Sequence, residues 1–273
     1  MTCCSSAFKI ELRWPEQIAT SNWLQPRSYL IFNCILAIVF VAFQLLNLYD
    51  AIPVLGGYYF IYLTVWALVL QTITMVTLFI CTLWAYVKLT DGPDGPSQGQ
   101  APLFVRYTVA FWYIIQPVSM IVMILYWTLV NPIWDPYPVV LSNYWAHFWN
   151  WVCLFISLFA SRIPWSCKNF VWGLLFLLTY LGYTVIHFFA GIGTAGSCEL
   201  YIDPECPIYD AFDWNMPMMT TIVTAVALVL YTVIAGLYTI LVCCRNCCSC
   251  MAKPMEVESK DGPENIETIE NAA

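Results

Sequence analysis

Long apolar stretches alternate with short polar ones along nearly the whole chain. Six of them, at 29–49, 58–87, 107–130, 145–161, 169–190 and 218–243, reach the length of about 17 to 25 residues that a helix needs to cross a hydrocarbon core of about 30 Å. The pattern predicts an all-α polytopic membrane protein, a bundle of six transmembrane helices. It divides the chain into a polar segment over 1–28, a membrane domain over 29–243, and a Cys-rich then acidic tail over 244–273. Between the second and third stretches, TDGPDGPSQGQAP is dense in Gly and Pro and reads as an exposed loop. The final KPMEVESKDGPENIETIENAA is acidic, poor in large apolar residues, and expected to be disordered.

Charge orients the bundle, because Lys and Arg near span ends are retained in the cytoplasm. Lys9, Arg13 and Arg27 precede the first span, Lys88 and Arg106 flank the second loop, Arg162 and Lys168 flank the fourth, and Arg245, Lys253 and Lys260 follow the last. The other three loops carry no basic residue, and the fifth carries Glu199, Asp203, Glu205, Asp210 and Asp213. An even number of spans puts all ten cations on one side, so both termini are expected in the cytoplasm. The amino-terminal segment lacks the apolar core of a cleaved signal peptide, which leaves the first span as the expected anchor.

Composition removes whole classes of function. With 61% hydrophobic and 10% charged residues and a mean hydropathy of +0.71, a water-soluble fold is excluded. A net charge of −7 with ten basic residues leaves no phosphate-binding stripe, so no nucleic-acid partner is expected. No dinucleotide or phosphate-loop motif occurs, and no cofactor is expected. Tyr58, Tyr59, Tyr86, Trp134, Tyr137, Tyr144, Trp145, Trp165 and Trp214 fall near span ends, as an interfacial aromatic belt requires.

The cysteines sort by compartment. Cys198 and Cys206 share the fifth, external loop and are expected to form a disulfide. Cys3, Cys4, Cys243, Cys244, Cys247, Cys248 and Cys250 lie on the inner side beside the membrane, as S-palmitoylation acceptors do. The C-x-x-C spacing of Cys244 and Cys247 also suits a metal, but a zinc site needs four ligands held apart by a folded knuckle, and none is expected here.

Candidate chemistry gathers in SNYWAHFWNWVCLFISLFASR, residues 142–162, which holds one of the two histidines. Helical spacing puts Asn143, His147 and Asn150 on one face. Such groups at membrane depth mark either a functional site or the hydrogen-bonded glue between helices. The fifth span carries a comparable face of Tyr180, Tyr183, Thr184 and His187, and the second carries Thr64 and Gln71. Counting about 1.5 Å of rise per residue puts Thr64, His147 and His187 within roughly 10 Å of the external surface. There a neutral imidazole could remove the proton of a Thr hydroxyl and so make it a nucleophile, with Asn143, Asn150, Asp210 or Asp213 orienting the ring.

YFIYLTVWALVLQ, HFWNWVCLFISLFASRIPW, YLGYTVIHFFAG and PIYDAFDWNMP together resemble the rolling stone family of six-span membrane proteins. That family is similar to the androgen-induced and androgen-dependent TFPI-regulating proteins. The resemblance runs from the second span to the start of the sixth. Rolling stone implies a cell-surface role in myoblast fusion with no known chemistry. The androgen-induced relatives imply a threonine hydrolase of fatty-acid esters of hydroxy fatty acids, with the Thr falling on Thr64 and the His on His147. Asn150 and His187 are the candidate supporting residues. The acidic loop and PIYDAFDW sit nearer to rolling stone. The expectation is therefore a surface protein of the plasma membrane rather than the endoplasmic reticulum, with the bilayer as its partner, and a lipid-ester hydrolase as the alternative.

Overall fold

The computed structural model describes residues 12, 15–91, 100–130, 141–165, 167–194, 207–209 and 212–247. They are almost entirely helical, and among them no strand forms; the single extended pairing is a bridge between Ser21 and Ser161. The helices are α1 (Pro26–Leu55), α2 (Leu63–Asp91), α3 (Leu103–Leu125), α5 (Phe170–Phe189) and α6 (Pro217–Cys247). Between α3 and α5, Leu141–Tyr144, a π turn at Trp145–Trp149 and Asn150–Ala160 follow one another without a break and are together α4. A second π turn, Tyr126–Val130, extends α3. Among the described residues, α1, α2, α3, α5 and α6 are each long and apolar enough to cross a membrane.

Local chemistry moves the helix ends away from the hydropathy limits. α1 starts at Pro26, because a proline in the first turn gives up an N–H that has no intrahelical partner there and arrives with helical φ. It ends at Gly56, whose φ of 56° is open to glycine and whose N–H bonds the Ile52 carbonyl. Residues Gly56–Ile61 then form a 3₁₀ turn, so α2 begins at Leu63 and not at 58.

Burial is inverted relative to a protein in water. Gln71, Thr74, Thr82, Gln116 and Ser157 are fully buried, whereas Ile38, Leu45, Ile186, Phe189, Val229 and Val233 are exposed on α1, α5 and α6. In lipid, an apolar outer face costs nothing and polar groups must find partners inside, so this distribution suits an integral membrane protein. α3 is the central helix: 72% of its most apolar 18-residue stretch is buried, against 22 to 39% for the other four.

One end of the bundle is tied by polar bonds. Arg245, 2% exposed, donates from Nη1 to the carbonyls of Leu158 (2.6 Å) and Ser161 (2.8 Å) and from Nη2 to that of Ile163 (3.0 Å). These are carbonyls that the end of α4 leaves without helical partners, and a cation there also suits the helix dipole. The segment before α1 joins the same end: Asn22 N–H bonds Ala160, Arg162 N–H bonds Thr20, and Ser21 Oγ donates to the Ala160 carbonyl. The expected polar segment 1–28 is thus bonded to the bundle over Thr20–Asn22. The expected tail boundary at 244 falls within α6, which runs on to Cys247.

Candidate functional site

Direction and register follow from side-chain bonds. Cys81 near the end of α2 meets Thr108 near the start of α3 (3.4 Å), and Trp127 just beyond α3 donates to the His147 carbonyl (3.1 Å). Hence α2 and α4 both run antiparallel to α3 and parallel to each other. Asn150 Nδ2 donates to Gln71 Oε1 (3.1 Å), which fixes the two parallel helices against one another.

His147 stands where two π turns meet. In its own, the Asn150 N–H reaches back five residues to the Trp145 carbonyl. The helix then carries one extra residue in that turn, and the local change of phase leaves the His147 carbonyl to accept from Trp127. The imidazole lies flat on the ring of Tyr126, the first residue of the other π turn, with centroids 3.4 Å apart and planes 4° apart. Tyr126 Oη in turn accepts from Asn143 Nδ2 at 2.6 Å. Asn143, His147 and Asn150 share one inward face; Asn143 and His147 both meet Tyr126, and Asn150 meets Gln71. His147 Nδ1 is buried without a hydrogen-bond partner.

Thr64 belongs to a different cluster. It lies in the first turn of α2, where the chain is held by Tyr180 Oη donating to the Ile61 carbonyl (2.8 Å) and by Leu63 N–H donating to Tyr209 Oη (3.1 Å). The Thr64 side chain lies beside the same Tyr209 phenol. Tyr209 sits between α5 and α6, and burial pushes its phenol up to about 12. Trp66 packs against Tyr180 and Tyr183 at 5.4 and 5.1 Å, so the polar face of α5 meets this end of α2.

Thr64, His147 and His187 are staggered in depth. Thr64 is seven residues from Gln71, about 10 Å along the axis at 1.5 Å per residue; His147, three from Asn150, is about 5 Å along the same direction. The two are offset by about 6 Å, and no hydrogen bond joins them. His187 is two turns beyond Tyr180; it is buried beside the Gly193 backbone, with Nε2 unpaired and its ring 6.0 Å from Tyr183. Asp213 is engaged at the start of α6, accepting from Asn215 N–H and, through its carbonyl, from Thr220; Asp210 lies outside the described residues.

Tyr126, Trp127, Gln116 and Tyr209 are the members that periodicity did not select. Aromatic residues near span ends look alike in sequence whether they face headgroups or a histidine. Among the described residues, no three His, Cys, Asp or Glu side chains come together to hold a metal. Cys243 and Cys244 are exposed and free at the end of α6. Cys3, Cys4, Cys198, Cys206, Cys248 and Cys250 lie outside the described residues, as does the Cys247 side chain. No protein-family model, curated protein or solved structure matches this chain.

Proposed function

We propose that this chain is a six-span protein of the plasma membrane with both ends in the cytoplasm, similar to rolling stone, and that it acts through its outer face in cell contact of the fusion kind rather than as an enzyme. The observation that carries this reading is the separation of the two candidate catalytic groups, Thr64 in the turn held by Tyr180 and Tyr209 and His147 stacked on Tyr126. Polar side chains spent on interhelical bonds in this way act as glue. The sixth span would be α4, whose 20 residues from Leu141 to Ala160 come to about 30 Å at 1.5 Å each. Thioesters on Cys3, Cys4, Cys243, Cys244, Cys247, Cys248 and Cys250 would tie the inner face to lipid, and a Cys198–Cys206 disulfide would close the fifth loop.

The alternative, a hydrolase of lipid esters, rests on the buried and unpaired His147 Nδ1 within a π turn, an irregularity frequent at functional sites. After a shift that closes their offset, Thr64 Oγ1 would attack the ester carbonyl as His147 takes its proton, the ester C–O bond would break with that proton passing to the departing alcohol, and water would then release the acid from Thr64.

Two assays separate these readings. Cells carrying the protein are expected to mix contents with one another more than cells lacking it, equally for wild type, Thr64→Ala and His147→Ala; mixing no greater than in the control refutes the first reading. A fluorophosphonate probe on the same membranes is expected to give no labelling that depends on Thr64. Labelling lost in both variants would establish the hydrolase.

A further inference from the structure

A polar stripe runs along α4 at His147, Asn150, Leu154 (through its carbonyl), Ser157 and Ser161, a spacing of 3, 4, 3 and 4 that keeps to one face. Gln71 meets it from α2 at Asn150, and Gln116 meets it from α3, donating Nε2 to the Leu154 carbonyl at 3.1 Å. At four successive levels one polar atom of this seam is buried and has no hydrogen-bond partner: His147 Nδ1, Gln71 Nε2, Gln116 Oε1 and Ser157 Oγ. Their residues are at most 8% exposed.

From these groups we infer that the seam between α2, α3 and α4 is a binding site for a file of ordered water molecules. The chemistry selects water. Gln71 Nε2 can only donate, Gln116 Oε1 can only accept, and Ser157 Oγ does either. A metal cation would want acceptors throughout and an anion donors throughout; a water molecule gives and takes at each level. Unsatisfied amide atoms in a bundle core are costly, and buried water with two to four polar partners is the usual remedy. The file ends at Ser161, where the Arg245 guanidinium bonds the surrounding carbonyls and stands 3.4 Å from Ser161 Oγ. A fixed cation at a closed end makes this a water store and not a cation pore.

X-ray radiolysis of the full chain in lipid nanodiscs tests the inference, because ordered water releases hydroxyl radicals that oxidise the side chains beside it. Leu154 is completely buried, as is Tyr231, which packs from α6 against Gly173 of α5, bonds the Phe170 carbonyl, and is intrinsically the more reactive. The expected result is several-fold more oxidation at Leu154 than at Tyr231, falling to the Tyr231 level in Gln71→Leu/Gln116→Leu. Ser157→Ala, a smaller change that preserves folding should the double variant misfold, is expected to lower oxidation at Leu154. Oxidation of Leu154 no greater than that of Tyr231 in the wild type, or unchanged in a folded variant, overturns the proposal.

Discussion

Arg245 is buried in the bundle, and its contacts explain how it is tolerated. Three carbonyls at the end of α4 surround a planar donor fork, an arrangement that Lys, a point charge with a flexible stem, does not reproduce. Hydrogen bonds to a charged group contribute about 1.5–3 kcal/mol each, and losing them also strands the carbonyls. Arg245→Leu is expected to lower the unfolding midpoint in detergent strongly and Arg245→Lys by an intermediate amount; a Lys variant as stable as wild type would contradict the fork. The Asn150–Gln71 bond is a milder case. A double-mutant cycle with Asn150→Leu and Gln71→Leu is expected to give a coupling of about 1 kcal/mol, the scale of polar contacts between membrane helices, and a coupling near zero would show the bond to be idle. Of these residues, periodicity foresaw Asn150 and the inward face it shares with Asn143 and His147. It did not foresee Arg245, because a lone arginine beside a cysteine run reads as an ordinary interfacial cation until the end of α4 is seen to lie on it.

Helices were legible where hydropathy alone decides and shifted where backbone chemistry does. The limits of α5 agree within a residue, since no Pro interrupts 170–189. α2 starts five residues later than the apolar run because Gly56 and Gly57 favour a turn, and α4 starts four residues earlier, at Leu141. The π turns had no signal, because hydropathy does not encode one extra residue in a turn, and they are why Tyr126 and Trp127 reach His147. Helix contact gives its own prediction at Gly173. A Cβ there would collide with the Tyr231 side chain, whose hydroxyl donates to the Phe170 carbonyl at 2.6 Å. Gly173→Ala is expected to destabilise the α5–α6 contact by about 1–3 kcal/mol, as overpacking does, with part of the loss recovered in Gly173→Ala/Tyr231→Phe, read by unfolding in detergent. An unchanged stability in the single variant would mean that α5 and α6 are not this close.

Among the described residues the basic side chains gather at one end of the bundle. Arg27 opens α1, Lys88 closes α2, Arg106 opens α3, Arg162 and Lys168 lie between α4 and α5, and Arg245 closes α6. The bonds of Arg245 to the end of α4, of Thr20–Asn22 to the same end, and of Tyr113 to Pro164 gather these positions at one end of the bundle. The exposed apolar faces of α1, α5 and α6 supply the contact with lipid. Basic ends are held in the cytoplasm, so the proposed layout has both termini there and α4 as a full crossing. Epitope tags placed before Met1 and after Ala273, probed by antibody in intact and then in permeabilised cells, test that layout directly. The account predicts that neither tag is stained until the membrane is opened; staining of either tag on an intact cell would contradict it.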